Sequence, residues 1–176
     1  MFIYLALKKT KLVDRKISRY NMNFETQPQE TYATLRIYHA QLEPDQLTTL
    51  FEIKPTMAWK MGDKITIADS QKYSSTPGVI DAQTGGWLLS SKHSIRSTDA
   101  MKHIEWMADQ LANHGNSIYQ LQQAGFTVDL VVAWFSDSWN TCPALTPELM
   151  MRLANLRIPL WFDVYLDRPM DLSVLS

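Results

Sequence analysis

The stretch Phe126-Thr-Val-Asp-Leu-Val-Val-Ala-Trp-Phe135, with Leu145-Thr-Pro-Glu-Leu-Met-Met-Arg-Leu-Ala-Asn-Leu156 and Leu160-Trp-Phe-Asp-Val-Tyr-Leu166 after it, decides how this chain folds. Its first part is apolar on both alternating faces, with Val128, Leu130, Val132 and Trp134 on one and Val131, Ala133 and Phe135 on the other. A strand with two apolar faces is covered on both sides and belongs inside a sheet. Thr146 is placed to accept hydrogen bonds from the first turn of a helix. Pro147 sits in that turn, where its missing N–H is no loss. Leu145 and Met150 have the spacing of a hydrophobic staple across the helix start. Pro159 stops the helix, and residues 160–166 alternate again, which predicts a final strand.

Toward the N-terminus the same order of signals recurs. Tyr32 to Ala40 alternates, with Leu35 and Ile37 on one face and Tyr32, Thr34, Arg36 and Tyr38 on the other, a half-buried strand. Pro44 then opens a helix striped by Leu47, Leu50 and Phe51, with Leu42 and Leu47 as its staple and Pro55 as its end. Leu42, Pro44, Asp45, Leu47, Leu50 and Ile53 match Leu145, Pro147, Glu148, Met150, Leu153 and Leu156 without a gap. The expectation is two strand–helix–strand half-repeats. Between them, Ile104, Met107, Leu111, Ile118 and Leu121 predict a long helix over 98–124, capped by Thr98 and closed by Gly125 in the left-handed region. Gly115 is about 1 kcal/mol less favourable than alanine inside a helix, so residues 114–116 are a place for a bend or break. Lys64 to Ile67 reads as a short edge strand and Trp87 to Ser91 as a short strand, separated by Ala68 to Gly86, which has no period and is either mobile or functional. The fold class is α+β: a mixed, mostly antiparallel sheet with helices on one face, a ferredoxin-like type of sandwich.

Composition bounds the function. The chain has 176 residues, enough for one domain, read as 31–167, with a basic leader at 1–21, a linker at 22–30 and a tail at 168–176. The single cysteine, Cys142, excludes a disulfide framework and any multi-thiolate zinc or iron–sulfur site, and suits the reducing cytoplasm. No apolar run reaches the roughly 18 residues of a membrane span. Met1 to Asn21 carries Lys8, Lys9, Lys11, Arg15, Lys16 and Arg19 against Asp14, a charge of +5 that leaves −6 for the rest of a chain whose total is −1. Its apolar residues precede its charges, unlike a secretory signal, and it reads as lying outside the domain. A domain at −6 has the wrong sign for a phosphate-binding surface, so nucleic acid is not the expected partner.

These residues also carry a resemblance. Leu42-Glu43-Pro44 through Ile53-Lys54-Pro55-Thr56, Trp59-Lys60-Met61-Gly62, Trp87-Leu88-Leu89-Ser90-Ser91, the helix with His103 and Trp106, Trp134-Phe135-Ser136, and the run from Leu145 to Asp163-Val164-Tyr165 are similar to the bacterial domain-of-unknown-function family 4279. The similarity spans Tyr32 to Tyr165. It implies a small intracellular bacterial α/β protein, and it brings no established activity, so no catalytic residue is carried over. The Ala68 to Gly86 loop and the basic start depart from the family's shorter form.

Chemistry-bearing residues are few. Ser136, Asp137 and Ser138 end the apolar strand, a common place for function in α/β proteins, but Ser-Asp-Ser is ordinary turn chemistry and no glycine flanks the serine as a nucleophile elbow requires. His39, His93, His103 and His114 lack metal-ligand spacing, and phosphate-binding glycine loops are missing, so no metal and no cofactor are expected. What the pattern does offer is a sheet face. With Leu35, Ile37, Leu160, Phe162 and Val164 turned to the helices, Tyr32, Arg36, Tyr38, Trp161, Asp163 and Tyr165 share the other side. Tyr, Trp and Arg dominate protein-binding hot spots. The expectation is a non-enzymatic module that binds a protein partner or a second copy of itself through Arg36, Tyr38, Trp161, Asp163 and Tyr165. A toxin-immunity or inhibitory role is its nearest analogy. The alternative is a small enzyme or small-molecule binder with a pocket near His103, Trp134, Ser136 and Asp137.

Overall fold

A computed structural model describes residues 30–67, 78–136 and 143–166. The leader and most of the linker, residues 68–77, Asp137, Ser138, Cys142 and the tail lie outside the described residues. The elements are β1 (Glu30–His39), α1 (Pro44–Phe51), β2 (Met57–Trp59), β3 (Lys64–Ile67), β4 (Gly78–Asp81), β5 (Gly85–Ser90), α2 (Ala100–Gln110), α3 (Gly115–Gln123), β6 (Thr127–Ser136), α4 (Pro147–Leu156) and β7 (Leu160–Leu166). Five strands form one sheet in the order β2-β5-β1-β6-β7, and β3 and β4 form a separate antiparallel pair. β1 is antiparallel to both β5 and β6, and β7 is parallel to β6, so the fold is α+β with a mixed, mostly antiparallel sheet.

Both strand–helix–strand units join parallel strands, but in different ways. β1 and β2 each run antiparallel to β5, which lies between them, so the first unit is split; in the second, β7 lies directly beside β6. The first unit is the split arrangement of a ferredoxin-like sheet and the second is not. A twofold between β1 and β6 would relate β5 to β7, yet β5 opposes its neighbour and β7 follows its own.

The helices cover one face because one face is apolar. Ala33, Leu35 and Ile37 of β1, Trp87 and Leu89 of β5, and Val128, Leu130, Val132 and Trp134 of β6 join a single buried cluster with Leu47 and Phe51 of α1, Ile104 and Met107 of α2, Ile118 of α3, and Leu149, Leu153 and Leu156 of α4. Each buried Val, Leu, Ile, Phe or Met side chain among them contributes about 1.5–3 kcal/mol. Trp87 is fully buried, packs on Phe51 with ring centres 5.4 Å apart, and donates its indole N–H to Thr48 Oγ1 at 3.2 Å, so its polar atom is not stranded in the core.

Several local expectations are corrected. The helix expected over 98–124 is two helices: α2 ends at Gln110 and α3 starts at Gly115, a few residues earlier than glycine propensity alone places the break. A Cβ on Gly115 would lie 3.1 Å from the Asn155 carbonyl of α4, so a close helix–helix approach, more than propensity, accounts for the glycine. Asp99, not Thr98, caps α2, accepting from the Met101 N–H. Thr146 caps α4 as expected, with Oγ1 3.2 Å from the Leu149 nitrogen, but Met150 is 48% exposed, so it is no staple, and Leu149 turns inward. The helices end at Phe51 and Leu156, through Glu52 and Arg157 at φ of 54° and 57°, before the prolines that follow. β3 is no edge of the main sheet, because it pairs with β4, and the stretch taken as loop contains β4 and the start of β5.

Candidate functional site

Backbone alternation sends Tyr32, Thr34, Arg36 and Tyr38 to the face opposite the helices, and strand register sets their neighbours. Across β6 they meet Ala133, Val131, Asp129 and Thr127; across β5, Thr34, Arg36 and Tyr38 meet Ser90, Leu88 and Gly86. One strand further, Trp161 lies beside Val131, Asp163 beside Ala133 and Tyr165 beside Phe135. All six aromatic and charged residues read from the pattern therefore share this face.

The centre of the face is an ion pair. Arg36 donates from Nε to Asp129 Oδ1 at 2.7 Å and from Nη2 to Oδ2 at 2.9 Å, the two-pronged geometry that suits guanidinium and carboxylate. Asp129 is largely buried and Arg36 about a third exposed, their side chains keeping 12% and 35% of their accessibility. The hydrogen bond to Asp129 raises the Arg36 guanidinium above its usual range; burial opposes this, and the charges of Asp129 and Asp163 add to it. The guanidinium carbon lies 6.0 Å from the centre of the Tyr38 ring, whose phenol is pushed up by burial against the opposing charge of Arg36.

Aromatic clusters flank this pair. On one side Tyr38 meets Trp59 at 6.2 Å between ring centres. The Trp59 indole donates to the Thr84 carbonyl at 2.9 Å and lies across the backbone of Gly86, where a Cβ would come within 2.3 Å of the ring. On the other side Phe135 stacks on Tyr165 at 4.6 Å and tilts toward Tyr32 at 6.2 Å, while Lys92 sits 4.8 Å above the Tyr32 ring and 2.7 Å from Glu30. Tyr165 donates its hydroxyl to Asp163 at 3.1 Å. Trp161 is 60% exposed at the margin. Tyr38 and Trp161 are not neighbours: two strand spacings and four residues of rise put them about 16 Å apart.

Trp59, Asp129, Phe135 and Lys92 were not picked out from the pattern. Asp129 had a legible signal, because a carboxylate in a strand apolar on both faces needs a cation opposite it, and Arg36 is the charged residue of the adjoining strand.

His103, Trp134 and Ser136 are all buried, and Asp137 lies outside the described residues. His103 Nε2 is 2.9 Å from the Ser97 carbonyl, which only accepts, so Nε2 donates; Nδ1 is 2.7 Å from Ser91 Oγ, whose hydroxyl donates to the Ala33 carbonyl at 3.1 Å. The same serine oxygen accepts from the Ala33 N–H at 2.9 Å. The imidazole ties α2 to β1 and β5, and both of its nitrogens are committed to that tie. Among the described residues no group of three or more His, Cys, Asp or Glu side chains is arranged to hold a metal ion, and no helix is long and apolar enough to cross a membrane.

The model of a family described as a domain of unknown function (DUF4279) matches residues 29–167. Neither the curated proteins nor the solved structures searched give a match.

Proposed function

We propose, for a chain that belongs to the family described as a domain of unknown function (DUF4279), that it is a non-enzymatic module that binds a protein through the open face of its sheet. One observation carries the reading: the face that the described helices leave uncovered holds a two-pronged Arg36–Asp129 pair framed by Tyr38 and Trp59 on one side and by Tyr32, Phe135 and Tyr165 on the other. Rigid rings around a fixed charge give a partner large contact area at small entropic cost, the composition of an interface centre. The pocket reading has weaker support, because the polar atoms of His103 are used inside the core. The lone cysteine fits a cytoplasmic setting. An inhibitor-like role follows by analogy with other small acidic binding domains, and the two strand–helix–strand units fit an ancestral duplication that has since diverged in strand order.

The test is capture from host lysate with the full chain, comparing wild type, Arg36→Ala/Tyr38→Ala and Ser136→Ala, each checked for folding. A protein held one-to-one by wild type and Ser136→Ala, and lost with the face variant, supports the reading. Loss with Ser136→Ala alone moves the site to the region of His103, Trp134 and Ser136, and no capture by any of the three refutes the module.

A further inference from the structure

The sheet has two margins, and they differ. β2 is three residues long, whereas β7 runs from Leu160 to Leu166 with no proline, glycine, lysine or arginine, and among the described residues no strand pairs with its outer side. Natural sheets blunt long edges with such residues or cover them. The Leu130 N–H donates to the Pro159 carbonyl at 2.9 Å, and backbone groups alternate sides along a strand, so Trp161, Asp163 and Tyr165 turn their N–H and C=O toward β6. Leu160, Phe162 and Val164 turn theirs outward, as the backbone of Leu166 does at the strand's end. Their side chains point to the helix side, where Phe162 is 41% and Val164 48% exposed, while Trp161 stands exposed on the opposite face. The edge is thus a row of backbone donors and acceptors with apolar surface both above and below it.

We propose that β7 joins two copies of this chain, edge to edge and antiparallel, across a twofold axis at Phe162. This goes beyond the sheet-face reading and does not depend on it. A twofold between identical edges makes them antiparallel; keeping each face on its own side puts the axis at a residue, and overlap of most of the strand leaves Phe162, Asp163 or Val164. Centring on Asp163 sets two carboxylates directly opposite each other at a close, non-hydrogen-bonded position, which is destabilising. Centring on Val164 carries Trp161 past the end of the partner's strand. Centring on Phe162 sets Leu160 against the partner's Val164 and Phe162 against the partner's Phe162, lays Trp161 beside the partner's Asp163, and employs the outward backbone groups of Leu160, Phe162 and Val164. The edge is complementary to itself, which is why a second copy, and not a foreign strand, is its occupant. Two five-stranded sheets become one of ten, and the two open faces become continuous.

Sedimentation equilibrium of the full chain tests this with wild type, Val164→Pro and Val164→Lys. The proline deletes an outward N–H and spares the β6 ladder; the lysine places a charge on the edge without touching the backbone. A reversible wild-type dimer, weakened about tenfold or more by both variants while far-ultraviolet circular dichroism is unchanged, supports the proposal. A wild type that stays monomeric at high micromolar concentration overturns it, as does a dimer indifferent to Val164→Lys, which decides alone if the proline variant does not fold. In a Cys142→Ser background, oxidation should link Phe162→Cys copies to each other; linkage through Asp163→Cys instead overturns the register.

Discussion

Arg36 and Asp129 are bound to each other twice, so removing either leaves a charge without its partner on a half-covered surface. Arg36→Ala is expected to cost about 2–3 kcal/mol in urea denaturation, the range for a charged hydrogen-bonded group. Adding Asp129→Ala should cost less than the sum of the single changes, and a strictly additive cycle would show the pair to be energetically inert. Tyr38 supplies a pH dependence. Burial raises its phenol, so above pH about 10, where an unfolded tyrosine ionises, the unfolded state binds fewer protons than the folded one and stability falls as pH rises. The melting temperature of wild type should drop more steeply than that of Tyr38→Phe between pH 9 and 11 (a range about one unit either side of that value); parallel slopes would mean that Tyr38 ionises in the fold as freely as in the chain. At this scale the sequence was readable wherever strand alternation applied: Arg36, Tyr38, Trp161, Asp163 and Tyr165 do share a face. It was silent on Trp59, whose place depends on a three-residue strand held by its pairing with β5 and not by any period of its own.

At the scale of elements, β2 is held by its pairing with β5 and by the Trp59 indole, which lies across the Gly86 backbone. Gly86→Ala must displace that ring, a loss of about 1–3 kcal/mol typical of overpacking. Tryptophan fluorescence should show Trp59 more exposed to solvent; an unchanged spectrum and midpoint would mean that the ring moves aside freely. The long strands β1 and β7 could be read because seven to ten residues of alternation leave little ambiguity, and β6 because it is apolar on both faces along its length. β2 and β4 are too short for any period to declare itself, and pairing alone makes them strands. The phase of α4 was ambiguous for a different reason. Leu149, Met150 and Met151 are consecutive apolar residues, and only packing against the neighbouring helices selects Leu149, Leu153 and Leu156 as the inward stripe.

For the whole molecule, two surfaces act separately: changes at Arg36 and Tyr38 should affect partner capture, and changes at Val164 should affect self-association. The α+β class and the one-sided helical layer followed from hydrophobic pattern, whereas strand order did not, because it depends on which distant segments meet. The central strand is the extreme case. β1 finds its longest partner, β6, only after β2 to β5 and three helices have been laid down, and Arg36 and Asp129 are 93 residues apart in the chain. At the roughly 5–20 residues per second of ribosomal synthesis, β1 waits about 5–20 s with one edge open after leaving the ribosome. During that interval the nascent chain offers an unpaired strand edge with one apolar face to whatever is nearby, so its yield in the cell depends on the pace of translation and on chaperone occupancy as well as on the stability of the finished fold.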